Sequence, residues 1–449
     1  MSISPLVRLW VLPLSLFVCQ AVNAQPYEKP TTLIARDVID ASYLESEHYS
    51  IDPKVTSNGY FNTYVMHSPH GDLTVEGNAL LLMRIREYPA IAELKKITQS
   101  DAFLEAAKKG GKELLLAPIT AGEKFYEIIS DREKTVDTIK KVPSGIVSIF
   151  SWAGRQVESG YDAVNEYFQE EPDASADKNK KPNGQTNGKD KDITAQGQKQ
   201  AKKYALDYVK YNKNEKELFK MINVSPYTSN QIIKNEIEKI ARIQTGVGFA
   251  FRFVPGLGAL GLINNVNSVH DRAEQIAHFQ DPDLIESEAK KLLTQMNVSE
   301  EVRKEFLDAD GYAPPLLLSL LQSLNRLKKA QGRDVFLKLA SNAEREPTAY
   351  FFERMAARFA AVDAKRPIER IVFAPKFPMI RFSSNSFLIC LPIDYLFWTK
   401  EAAEVIKKVK TAVRPGNGTV ALEIAGTASP LALKQLAAEG IAVTTNVPM

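Results

Sequence analysis

The sequence is poor in the residues that carry redox and metal chemistry. Two cysteines, five histidines and three tryptophans are spread over 449 positions. Cys19 lies in the N-terminal apolar stretch, so a chain cleaved beyond it keeps only Cys390, and one thiol closes no intramolecular disulfide. A small disulfide-stapled scaffold is thereby excluded. Charge of one sign is lacking too: 57 basic residues face 54 acidic ones, a net charge of +3. That balance gives no bulk electrostatic case for nucleic acid or an anionic membrane. With 44% apolar and 25% charged residues the composition is globular, which excludes wholesale disorder and a multi-span membrane protein. The length predicts two or three domains with a sizeable core.

What is present begins with an address. Residues 1–24 have the organisation of a secretory signal peptide: Arg8 in the n-region, an apolar stretch from Leu9 to Val22, and small residues Val22 and Ala24 ahead of Gln25. The stretch is shorter than the about 20 residues a spanning helix needs. Val18 stands before Cys19 where a lipoprotein site wants Gly, Ala or Ser, so cleavage after Ala24 is expected. The reading is an exported protein, periplasmic or secreted. Cys390 sits in the apolar run Ser386-Phe387-Leu388-Ile389-Cys390-Leu391, where a thiol behaves as a small buried hydrophobe and has no local base.

Along the mature chain the expected class is α+β and mostly helical: a small N-terminal β-meander with helices (residues 25–168), a linker (169–203), a central helical domain (204–365) and a C-terminal α/β domain (366–449). After a polar lead-in, strand character appears in Glu47–Ile51, Tyr60–Met66 and Asp72–Gly77, with turn chemistry in Asn58-Gly59 and His70-Gly71. Leu80 to Ile97 predicts a helix pair broken near Pro89, and Ser100 an N-cap. Further amphipathic helices are expected in Ala121 to Ile139 and around Ile146 to Ala153. The stretch from Gln169 to Lys203 is rich in Lys, Asn, Gly, Asp and Gln and has no aromatic residue between those ends. It cannot bury enough surface to offset its ordering entropy and reads as a disordered linker. Helices follow, with Ser229 as a cap, then Asp283–Asn297, Ser299–Leu307, Pro314–Lys329, Arg333–Ala343 and Thr348–Val362. Strands are expected at Ile368–Ala374, Met379–Phe382 and Phe387–Leu391. After them come a helix Lys400–Val413 capped by Thr399, a strand Thr419–Ala425, a helix begun by Ser429-Pro430 and closed by Gly440, and a last strand Ile441–Thr445.

Three groups of residues invite a chemical reading. His270, Glu274 and His278 recur every four residues, and on a helix they form a slanting stripe able to hold one metal; an exposed polar helix face explains the same spacing. His67, His70 and Asp72 share one turn, with His48 on a nearby strand, and would serve a metal-dependent hydrolase; the same residue types also make a hairpin turn for backbone reasons. Asp308-Ala309-Asp310-Gly311 imitates a calcium loop but has Phe306 and Leu317 where carboxylates belong. No GxSxG, SxxK, P-loop or strand-linked GxGxxG set is found, so no catalytic residue and no cofactor is expected.

The most unusual stretch is residues 245–263, which holds five of the 23 glycines among apolar residues. Gly246, Gly248, Phe251, Arg252, Phe253, Gly256, Gly258 and Gly261 would form a hairpin folded about Val254-Pro255-Gly256. Small residues allow close backbone approach, as in membrane helix pairs. Contact with a bilayer is one reading; a tightly packed buried pair is the other, since Pro255-Gly256 leaves neither half long enough to span.

Several segments, namely Leu73 to Leu81, Val142-Pro143-Ser144-Gly145, Val224 to Asn230, the glycine-rich stretch and Leu391-Pro392-Ile393-Asp394-Tyr395 to Trp398-Thr399, resemble those of a group of uncharacterised exported bacterial proteins. The closing strand–helix–strand shares this likeness. The resemblance implies an envelope setting and carries over no catalytic or binding residue. The functional expectation is an exported binding or envelope-associated protein. Its partner would be a membrane surface or an envelope protein, and not nucleic acid.

Overall fold

Alternating burial builds a sheet before the first helix. The computed structural model describes residues 27–110, 213–247, 282–373, 377–413 and 418–449. In its N-terminal part β1 (Leu33–Ile34), β2 (Ser50–Ile51), β3 (Lys54–Ser57), β4 (Asn62–His67) and β5 (Leu73–Glu76) form one antiparallel sheet around β4. Asn62, Tyr64 and Met66 point inward from β4 while their neighbours are half-buried, the period of two that a one-sided sheet requires. β5 runs along one side of β4, and β2 and β3 share the other. Asp52-Pro53 separates those two short strands, because proline has no N–H for the ladder. The meander is present as expected, with β1 and β3 in addition to the three strands the sequence suggested.

Helix α1 (Asn78–Thr98) runs unbroken through Pro89, which corrects the expected helix pair. Proline deletes one backbone bond in the helix interior. Leu81, Ile85 and Tyr88 before it, and Ile91 and Leu94 after it, are all buried in the same core, so packing holds one axis across the gap. α2 (Asp101–Gly110) starts where Ser100 accepts the Phe103 N–H at 3.2 Å. α3 (Lys213–Met221) and α4 (Gln231–Val247) follow. The cap of α4 is Asn230, whose Oδ1 accepts the Ile232 N–H at 3.1 Å. Ser229, the expected cap, turns its hydroxyl to Arg84 and Glu346 instead.

α5 (Pro282–Gln295), α6 (Glu300–Leu307), α7 (Pro314–Arg326), α8 (Arg333–Ala340) and α9 (Glu346–Asp363) lie within a few residues of their expected spans. α9 is buried on nearly every side, as an all-round apolar helix must be. It packs on α7 and on the C-terminal sheet. Phe336, Phe351, Phe352 and Phe359 join in a chain of edge-to-face contacts with centroids 5.4–5.9 Å apart.

The C-terminal sheet has the order β12-β10-β8-β7-β6. β6 (Arg370–Phe373), β7 (Pro378–Phe382) and β8 (Ser386–Leu391) are antiparallel; β8, β10 (Thr419–Ile424) and β12 (Ala442–Thr444) are parallel. α10 (Lys400–Val413) and α11 (Pro430–Ala438) make the two crossovers, capped by Thr399 and Ser429 as the sequence suggested. The short strands β9 (Tyr395–Leu396) and β11 (Thr427–Ala428) pair beside the sheet. The chain is thus a mixed α+β protein, mostly helical.

The N-terminal sheet and the C-terminal unit are joined by a buried carboxylate. Asp394 accepts the Asn62 N–H at 2.8 Å and the Asn78 N–H at 3.1 Å. The latter is the first donor of α1, whose N-cap, Gly77, has no side chain to offer. At Gly426 an added Cβ would sit 1.9 Å from the Asp394 carbonyl oxygen, so only glycine passes there. Glu28 of the lead-in accepts from the Trp398 N–H at 2.7 Å and from the Ser429 hydroxyl at 2.5 Å.

Candidate functional site

The two faces of the parallel half of the C-terminal sheet differ in the bulk of their side chains. Ile389 and Leu391 of β8 and Leu422 of β10 meet Ala402 and Ile406 of α10. The other face carries Ser386, Leu388 and Cys390 from β8, and Thr419, Ala421 and Glu423 from β10. Short and polar side chains leave space beneath the C-terminal half of α9. The result is a half-open groove of about 600 Å³ with Leu388, Phe382 and Ala421 in its floor, within the roughly 300–1,000 Å³ range of small-molecule sites. The crevice on the opposite face measures only about 40 Å³.

Charged residues from α9 and the segment after it line the groove: Arg358, Lys365 and Arg366, against one acid, Glu423. Arg358 and Glu423 form a two-bond fork, Nε to Oε2 at 2.7 Å and Nη2 to Oε1 at 2.8 Å. Hydrogen bonding to Glu423 holds the guanidinium above its ordinary value. The parallel register sets Glu423 beside Cys390, whose thiol lies 3.7 Å from Oε2. Burial pushes the pKa of that thiol well up, and Glu423 adds to it, which disfavours the reactive thiolate. Arg366 lies 3.6 Å above the Phe382 ring and donates to the Ser384 and Ser386 hydroxyls. Neither Lys365 nor Arg366 has a carboxylate partner among the described residues. The groove therefore keeps two positive charges in excess.

The histidine group of the N-terminal turn is arranged differently from the expectation. His67 Nε2 lies 3.0 Å from Asp52 and its Nδ1 lies 3.0 Å from Asp72. Hydrogen bonds to Asp72 and then Asp52 raise its pKa. Both ring nitrogens are thus engaged by carboxylates in this arrangement. His70 faces away toward Lys95 and Glu236, and partial burial lowers its pKa, with Lys95 adding to the effect. His48 sits against Glu47. Among the described residues no group of three or more His, Cys, Asp or Glu could hold a metal ion. His270, Glu274 and His278 lie outside the described residues. So do Gly248, Phe251, Arg252, Phe253, Gly256, Gly258 and Gly261, the linker 169–203, the expected helices within 121–153 and residues 1–24. Gly246 falls in the last turn of α4. No helix among the described residues is long and apolar enough to cross a membrane.

A second polar cluster binds α1, α4 and α9 together. Buried Arg84 reaches Glu87 at 2.9 Å, Glu346 at 3.4 Å and the Thr228 hydroxyl at 3.2 Å. Burial alone would lower its pKa, and the two carboxylates more than reverse this. Lys234 beside it is brought down to about 8 by burial, against the pull of Glu346. Charges of both signs are matched here, and Thr228 and Asn230 complete the bonds of Glu87. This is the arrangement by which a buried ion group is tolerated, and it holds three helices in register.

Sequence reasoning did not identify the groove. The signal was the alternation in Thr419-Val420-Ala421-Leu422-Glu423-Ile424, bulky on one face and small or polar on the other, set against the basic residues Arg358, Lys365 and Arg366. Comparison with protein-family models, curated proteins and solved structures finds no match to this chain.

Proposed function

We propose that the chain is an exported, envelope-associated binding protein, and that the groove between α9 and the parallel half of the C-terminal sheet takes an organic anion with an apolar portion. The observation that carries the reading is a ligand-sized groove with an apolar floor and two cations, Lys365 and Arg366, without carboxylate partners among the described residues. Binding is favoured over nucleophilic catalysis by Cys390 because burial raises that thiol's pKa and disfavours the thiolate. Export rests on the pattern of residues 1–24, and contact with a membrane surface on the glycine and apolar enrichment of residues 245–263.

Calorimetric titration with dodecanoate and with dodecyltrimethylammonium, both below their aggregation concentrations, tests the groove. Dodecanoate is expected to bind and the cation of equal chain length not to. The double variant Lys365→Glu, Arg366→Glu should weaken dodecanoate by at least about tenfold, or about 1.4 kcal/mol. Equal binding of the two amphiphiles, or an unchanged double variant, would remove the groove from the function.

A further inference from the structure

We infer that the mouth of the groove is a subsite for a phosphate monoester, built from Arg366, Lys365, Ser384 and Ser386; the inference rests on the groove reading and names the head group of its ligand. Arg366 Nη2 donates to Ser384 Oγ at 2.7 Å and to Ser386 Oγ at 2.5 Å, which uses both hydrogens of that nitrogen. The two hydroxyl oxygens lie 2.9 Å apart, so one serine donates to the other. Each hydroxyl has a single hydrogen, and one O–H is left to donate outward. Arg366 keeps its Nε and Nη1 donors, three N–H groups in one plane, and Phe382 packed 3.6 Å from the guanidinium fixes the direction of that plane. Two hydroxyls and an aromatic ring thus orient a guanidinium that has no carboxylate partner among the described residues.

The charge count selects the anion. Lys365 and Arg366 supply two positive charges at the groove mouth, and a carboxylate would cancel only one. A phosphate monoester carries about 1.5 to 2 negative charges near neutral pH and offers several acceptor oxygens, which matches two cations, a planar donor fork and one hydroxyl. Its ester substituent then extends over Leu388 and Ala421. The same chemistry could come from a phospholipid head group or from a soluble phosphate ester.

The test compares dodecyl phosphate with dodecanoate by calorimetry on the purified protein, Arg366→Gln, and Ser384→Ala with Ser386→Ala. The expected result is dodecyl phosphate binding at least about tenfold more tightly than dodecanoate, with the ratio falling below about threefold in Arg366→Gln and by a smaller factor in the serine variant. Arg366 and both serines are at the surface, so these variants should retain the fold, which circular dichroism verifies. A ratio near one in the unmodified protein, or the same ratio in Arg366→Gln, would overturn the subsite while leaving the groove intact. Failure of both amphiphiles to bind would overturn the groove and the subsite together. Co-sedimentation with phosphatidate but not phosphatidylcholine vesicles would support the subsite and assign it to a lipid head group. Binding of dodecyl phosphate without vesicle binding would support it and assign a soluble ester.

Discussion

Asp394 has no cation beside it among the described residues and is held by two backbone N–H groups, one at the start of β4 and one at the start of α1. Burial pushes its pKa from the ordinary 3.8 up to about 7, against those two donors. Below the ordinary value both the folded and the unfolded chain carry the proton. Between there and about 7 the unfolded chain ionises while the fold keeps its proton, so the contribution of this group to stability is lost as pH rises, and beyond about 7 nothing further changes. Tyr64, Asn62 and Asn78 surround the group and are uncharged, and Glu76 adds repulsion. Urea unfolding at about pH 4 and about pH 8 should show a loss of stability that is reduced in Asp394→Asn, which keeps the shape without the charge. An identical loss in the variant would place the titration elsewhere. Little of this was legible in the sequence: the Leu391 to Thr399 segment stood out only by resemblance, because its partners lie more than three hundred residues away.

At the scale of elements, the sequence reported what local chemistry decides. The caps Ser100, Thr399 and Ser429 lie where a hydroxyl is needed. α10 has the expected ends. What failed was decided by tertiary packing. Pro89 reads as a break, yet the residues on both sides of it fill one core. β1 and β3 are short strands without a strong pattern of their own, recruited by pairing to a neighbour. Ser229 gave way to Asn230 because the ion group around Arg84 drew its hydroxyl. The uninterrupted α1 makes a prediction: Pro89→Ala restores the missing N–H to the Ile85 carbonyl and should stabilise the protein by about 1 kcal/mol or more. Thermal or urea unfolding measures it, and a destabilised variant would mean that the proline ring itself is needed in the packing.

For the whole molecule, the arrangement of layers explains why the groove exists. α10 covers one face of the C-terminal sheet, while on the other α9 is engaged by α7 and by the N-terminal sheet, where Phe61 meets Phe351 at 6.4 Å. α9 packs on β8 and reaches β10 through the Arg358–Glu423 fork, with the groove between it and the sheet. The lead-in is drawn into the same assembly through Glu28. The fold class was readable from periodicity, because each helix and strand announces its own buried face. The site was not, because it is made from the unfilled face of one strand pair and from basic residues that any exposed helix end could carry. Hydrogen–deuterium exchange of the whole protein with and without dodecanoate tests the central claim most directly. The account predicts slowed exchange confined to the peptides covering residues 358–366, 382–388, 419–423 and 440–442. Protection absent there, or present instead in residues 245–263, would contradict it.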